Sequence, residues 1–421
     1  MQLWTLFITS SIPVLESFLI TALGSFLALD RINLFGQDSR DHLNIIVFYV
    51  LTPALTGANL AETITLDSMI ELWFMPVNIL LTFIVGSIFG WILIKLTRPP
   101  PQLRGLIVGC CAAGNMGNLL LIIIPAVCEE SGSPFGDADT CDTNGLAYWR
   151  YGFFSSSNIL DLEISLSICV IGGIYLWTYV YNIIRISSDT SIQDSTQTTE
   201  ISATSDHISC TEPLLSSEDN VDQYALPCTV YEGDAKMTRL GKIKEWMARM
   251  NEKLNLKAVF SPPTIGAIVG FAVGLISPIR NLLIGDDAPL AVIDDSTSLL
   301  GDAAIPLLTM IIGGNLVKGL RMSEIRKSIL IGIIIVKYIA VPLTGILVVK
   351  AAVKFGLVSN DPLYLFVLLL QFAVPPAMNI ATITQLFGQG QGECSVIMLW
   401  TYIFASLSLT VWCAFFLWLV A

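Results

Sequence analysis

Ten long apolar runs organise this chain of 421 residues, at roughly 6–29, 41–60, 72–96, 103–127, 151–182, 258–280, 297–320, 327–349, 363–387 and 394–420. A helix needs about 20 mostly apolar residues to cross a bilayer. Charged residues make up only 13% of the chain, about half the share of a soluble protein. The runs therefore read as the spans of an all-α polytopic membrane protein with ten transmembrane helices. Two of them are interrupted. Gly114-Asn115-Met116-Gly117-Asn118 breaks the fourth run, and Pro375-Pro376-Ala377-Met378-Asn379 breaks the ninth. Lipid cannot satisfy the backbone groups that such a break frees, so it survives only inside protein or against a watery cavity. A matched pair of interrupted runs is a sequence pointer to a transporter's binding site.

The residue types at the breaks suit an anion. Gly114 and Gly117 let the backbone leave helical geometry. Pro375 and Pro376 lack an N–H and clash with the preceding turn. Asn115, Asn118 and Asn379 can donate to a carboxylate or to freed backbone groups, and a half-helix N-terminus carries about half a positive charge. The plainer reading makes the glycines close-packing points, the prolines kinks and the asparagines interhelical glue. Asn59 and Asn315, beside small residues, are secondary candidates, with structural bonding the simpler role; Pro53 and Pro306 lie in the same runs. Glu16, Asp161, Glu163, Asp302 and Lys337 fall in or near spans, where charges are costly and mark pathways or ion pairs. Lys337, mid-span, is expected to pair with Glu16 or Asp302. Gln371, Thr382 and Thr384 are further candidates beside the second break.

Residues 183–257 are of another kind. Ser187 to Asp234 is rich in Ser, Thr, Asp and Glu and reads as disordered. Lys236 to Lys257 is basic and amphipathic, as in a helix lying on an anionic membrane surface. With this segment in the cytosol, 17 lysines and arginines fall on the cytosolic side and 4 on the other, Lys337 apart. The positive-inside rule favours that orientation, with both termini non-cytosolic. The first basic residue is Arg31, so the first run is expected to stay as a span rather than act as a cleaved signal. Cys128 and Cys141 share a loop and are placed to form a disulfide if that side is oxidising. With only two histidines and no metal-ligand spacing, neither a metal, a cofactor nor enzymatic chemistry is expected. The acidic net charge of -12 gives no basis for nucleic-acid binding.

Five runs per half is an odd number, so the second five enter from the opposite face as an inverted 5+5 repeat. Residues 1–182 form the first repeat and 258–421 the second. Gly57-Ala58-Asn59-Leu60 resembles Gly313-Gly314-Asn315-Leu316 at an offset of 256, and Asn118 matches Asn379 at an offset of 261.

The ten runs, the modest central loop and the stretches GNMGNLLLIIIPAVC and QFAVPPAMNIATITQLFG resemble the plant auxin efflux carrier superfamily, specifically its PIN-LIKES (PILS) branch. The resemblance covers the whole chain. It implies a sodium/proton antiporter-like fold: a scaffold domain from runs 1, 2, 6 and 7, a transport domain from runs 3–5 and 8–10, and crossed broken helices 4 and 9. It implies auxin (indole-3-acetate) as cargo, the endoplasmic reticulum membrane as location, and homodimers formed through the scaffold. The plasma-membrane carriers resemble one another in a Pro-Asn pair at the first crossover, whereas here Gly117 precedes Asn118. Their long phosphorylated loop is missing, so that control does not carry over. The function expected is alternating-access transport of an organic anion. Neither break holds an Asp or Glu, which argues for uniport. An ion-coupled symporter or antiporter of another carboxylate and a non-transporting auxin receptor stay open as alternatives.

Overall fold

The computed structural model describes residues 3–32, 34–63, 73–116, 120, 123, 124, 127, 168–188, 260–285, 288–322 and 325–420. Apart from one isolated bridge, every regular element among them is helical. The apolar runs become helices because a helix satisfies its own backbone. The first is α1 (Leu3–Leu27). The second is α2 (Gln37–Ile46), which passes through a π turn at Val47–Leu51 into α3 (Thr52–Thr63). Next come α4 (Phe74–Thr97), α5 (Pro101–Ala112) and α6 (Ile168–Tyr175), the last followed by a π turn at Leu176–Val180. The second half holds α7 (Pro262–Leu275), α8 (Ser277–Leu283), α9 (Ala291–Asp302) and α10 (Ala304–Met322). There follow α11 (Lys327–Ile335), a π turn at Val336–Ala340, α12 (Val341–Lys354), α13 (Pro362–Leu370), α14 (Asn379–Leu386) and α15 (Gln391–Val420).

Among the described residues, five helices are long and apolar enough to cross a membrane, or six if the bent pair α7–α8 counts as one span. Runs 4 and 9 fall short because each is broken, and most of run 5 lies outside the described residues. Large apolar side chains such as Leu19, Leu96, Leu299, Leu347 and Trp418 are exposed along the helices. A soluble surface does not carry so much apolar area, and a lipid-facing one does.

One expectation needs correcting. Run 6, read as a single span over 258–280, bends by 102° between α7 and α8. Pro278 is the cause: it sits in the first turn of α8, cannot continue α7, and forces the residues before it toward extended geometry. Proline also explains a local device in run 8. Pro342 has no N–H to give the Tyr338 carbonyl one turn back. That carbonyl, in the π turn, instead accepts the Trp412 Nε1–H at 2.8 Å.

The glycines of the repeated Gly-x-Asn-Leu tetrapeptides do the same work in two places. A side chain on Gly313 would overlap the Thr21 backbone, so α10 lies against α1; Gly57 and Gly270 bring α3 against α7 in the same way. Each crossing also carries a hydroxyl bonded to the partner helix. Ser25 Oγ donates to the Gly313 carbonyl at 2.8 Å, and Thr56 Oγ1 donates to the Pro263 carbonyl at 3.2 Å.

Candidate functional site

The two breaks meet. α5 stops at Ala112 because Ala113 turns extended. α13 stops at Leu370, a turn before Pro375 and Pro376 remove two N–H groups from the helical ladder. The extended stretches then form an antiparallel bridge between Gly114 and Pro376. The Asn115 N–H donates to the Pro375 carbonyl at 2.7 Å, and the Ala377 N–H donates to the Ala113 carbonyl at 3.1 Å. Backbone groups lost to the helices are thus paired with each other, which a break in hydrocarbon requires. Pro376 occupies the pair position whose own N–H makes no ladder bond, and Gly114 is needed opposite: a Cβ there would sit 2.5 Å from Val374 Cγ2.

Tyr402 of α15 staples the crossing. The Asn115 Nδ2–H donates to Tyr402 Oη at 2.7 Å, and the Tyr402 hydroxyl donates to the Pro376 carbonyl at 3.2 Å. Nothing in the sequence marked Tyr402, a single tyrosine in an apolar run. Asn379 is half-buried and opens α14 just beyond the bridge.

Lys337 lies at the crossing and is only 3% exposed. A Cβ on Gly114 would be 3.6 Å from its ammonium. The expected partners are not there: Glu16 and Asp302 are both exposed. Among the described residues the ion pair shown is Arg321 with Asp30, far toward one end. The acids fail as partners because each sits on an outward helix face. What faces Lys337 instead is the crossing itself, where the C-terminal ends of α5 and α13 each bring about half a negative charge. The partial charges of those ends hold the ammonium in place.

The other candidates are held away from the crossing. Asn315 is buried and its Nδ2–H donates to Gln385 Oε1 at 2.5 Å. Gln385 in turn donates to the Asp41 carboxylate. Gln37 donates to Asp41 at 3.2 Å and accepts from Arg40 at 2.7 Å and from Lys318 at 3.1 Å. This polar chain joins α2 and α10 to α14 at one end of the molecule. Arg40, Asp41 and Gln385 were not singled out from the sequence; Arg40 counted there only among the basic residues of the cytosolic side. Gln371 is sealed between helices, accepting from Asn78 at 2.7 Å and donating to Met75 Sδ at 3.1 Å. Thr384 donates within its own helix, and the Thr382 carbonyl accepts from Asn44 at 3.1 Å. Asn59 is half-buried. Gly117, Asn118, Asp161, Glu163, Cys128, Cys141 and the basic stretch 236–257 lie outside the described residues.

A narrow cleft of about 20 Å³, room for roughly one water molecule, lies between α1, α10 and α15. Met378 and Tyr402 line it, so it adjoins the crossing; Phe18, Ile312 and Met398 give it an apolar wall.

The sequence matches a family model described as membrane transport protein over residues 9–413. Protein PIN-LIKES 3 of Arabidopsis thaliana is 50% identical over 420 residues, covering all of both chains. Protein PIN-LIKES 1 of the same plant is 51% identical over 421 residues, covering all of this chain and 81% of its own. An uncharacterized transporter of Schizosaccharomyces pombe is 22% identical over 430 residues, covering 93% of this chain and 91% of that one.

Proposed function

The chain belongs to the membrane transport protein family and to its PIN-LIKES branch, and from that premise we propose that it is an alternating-access carrier of an organic anion, indole-3-acetate foremost. As a family member it is an integral multi-pass membrane protein with a small-molecule substrate. The observation that carries the finer reading is the Gly114–Pro376 bridge with the Lys337 ammonium beside it. A carboxylate entering there meets the Lys337 ammonium, its charge partly offset by the helix ends, the N-terminus of α14, and the amides of Asn115 and Asn379, with Asn118 as a further donor. Gly114, Gly117, Pro375 and Pro376 shape the opening.

The carrier mechanism draws on the helix contacts. The α1–α10 and α3–α7 crossings are built alike, as an inverted 5+5 repeat would make them. We read runs 1, 2, 6 and 7 as the scaffold, also the surface for dimers, and runs 3–5 and 8–10 as the moving group. On this reading the Asn315–Gln385–Asp41 chain ties scaffold to moving group on the cytosolic side, and it breaks when the site opens there. The endoplasmic reticulum membrane as location, with a cytosolic central loop, follows the PIN-LIKES resemblance and the charge asymmetry. Uniport, without enzymatic chemistry, follows from breaks that hold no carboxylate of their own.

The test is uptake of radiolabelled indole-3-acetate into proteoliposomes, with wild type, Asn118→Ala and Asn379→Ala. The expected result is uptake driven by the indole-3-acetate gradient alone and lost in both variants. Uptake that requires a sodium or proton gradient overturns uniport, and binding without uptake makes the protein a receptor instead.

A further inference from the structure

We propose that Asn78 is a positioning residue of the anion site: from α4 it sets where α13 ends, and so holds Pro375 and Pro376 in register with Gly114. This deepens the anion-carrier reading and rests on it for what a guest would feel. The first observation is that α13 ends earlier than its prolines require. A proline inside a helix clashes with the carbonyl four residues back, and it pushes the residue before it toward extended geometry. With Val374 extended, both limits leave residues up to Ala373 free to stay α-helical. Yet the last regular residue of α13 is Leu370. The chain tightens instead. The Phe372 N–H donates to the Leu369 carbonyl at 3.1 Å, and the Ala373 N–H donates to the Leu370 carbonyl at 3.0 Å. These are the bonds of a 3₁₀ turn. The Leu368 carbonyl thereby loses the Phe372 N–H that an α-helix would give it.

The second observation is what takes that carbonyl. The Asn78 Nδ2–H group donates to it at 3.1 Å, and also to Gln371 Oε1 at 2.7 Å. The Gln371 Nε2–H donates in turn to Met75 Sδ at 3.1 Å. Met75 and Asn78 stand one turn apart on one face of α4, and all three residues are buried. A main-chain carbonyl only accepts, so the Asn78 amide is fixed with its N–H groups toward α13. Its own Oδ1 has no partner, a cost that an apolar residue at this place would not carry. The two donations offset it. Their effect on the site follows from helix geometry. Return of residues 371–373 to α-helix would draw the chain in by about 1.5 Å and turn Val374 by about 60°. The bond from the Asn115 N–H to the Pro375 carbonyl, 2.7 Å long, does not survive such a shift. Asn78 therefore acts on a guest only through the bridge.

The experiment reads the bridge and the guest separately. Amide hydrogen exchange at Asn115 and Ala377 reports the bridge in purified protein with no guest present. Equilibrium binding of labelled indole-3-acetate reports the site. Gln371→Leu removes the side-chain pair but leaves Asn78 on the Leu368 carbonyl, so exchange and affinity should stay within about threefold of wild type. Asn78→Leu removes that cap. Both amides should then exchange at least about tenfold faster, and affinity should fall at least about tenfold, the range of one lost hydrogen bond and the misplacement that follows. The double variant Asn78→Leu/Gln371→Leu sets two apolar side chains against each other. Its thermal midpoint should recover toward wild type while exchange stays fast and affinity stays low. A role in filling space alone predicts that exchange and affinity recover as well. That recovery, or a Gln371→Leu protein as impaired as Asn78→Leu, overturns the assignment, and the double variant decides if Asn78→Leu misfolds. Wild type that binds no indole-3-acetate, with the exchange pattern as expected, removes the carrier reading and leaves Asn78 in its place.

Discussion

The two breaks solve one problem with opposite chemistry. The break at Gly114 needs a residue with no side chain, because Val374 of the other strand occupies the space where a Cβ would go. The break at Pro375 and Pro376 needs residues that stop a helix, and it places Pro376 where no N–H is used. One half of the crossing is therefore fixed by shape and the other by hydrogen-bond inventory. Neither is stable alone in lipid; each supplies the donor and acceptor the other lacks.

This difference should appear on substitution. The largest effect is expected from Gly114→Val, which drives a branched side chain into Val374 and parts the two strands. Transport should be lost, and the thermal midpoint should fall as expected for overpacking of about 2–3 kcal/mol. A wild-type midpoint with full uptake would show that the strands do not meet as described. Next comes Lys337→Met, which keeps the bulk and removes the charge. Binding of indole-3-acetate, read by scintillation proximity, should weaken by about 10- to 100-fold, the range for a bond to a charged group. Stability should fall by no more than about 1–2 kcal/mol, since the lost charge faced helix ends rather than a carboxylate. A large fall in stability with unchanged affinity would make Lys337 purely structural.

Tyr402→Phe should sit below these. It leaves the Asn115 amide and the Pro376 carbonyl without their shared partner, for about 1–2 kcal/mol of stability and a several-fold loss of uptake. An unaltered melting curve and uptake would remove the staple from the account. The smallest effect is expected from Pro376→Ala, which adds an N–H at a position outside the ladder. Uptake should stay within about threefold of wild type, at a cost near 1 kcal/mol. A loss as severe as that of Gly114→Val would erase the contrast between the two breaks.

The breaks were legible because glycine, proline and asparagine carry their backbone preferences locally. So was the Gly57/Gly313 correspondence, since both glycines meet the same need for close helix approach. Other features depend on what lies opposite in space. Tyr402 and Gln385 look like ordinary residues of apolar runs until Asn115, Pro376 and Asp41 come beside them. Lys337 was found, but its acid was guessed from charge alone; helix ends rather than a carboxylate face it. The bend at Ile276 was readable from Pro278, yet the hydropathy of run 6 continues through it and hid the break.

The central claim, that the crossed breaks hold the anion, is tested most directly by equilibrium binding of indole-3-acetate to purified protein carrying both Asn115→Ala and Asn379→Ala, with folding checked by thermal melting. The account predicts a folded protein that no longer binds. Wild-type affinity in the folded double variant would contradict it.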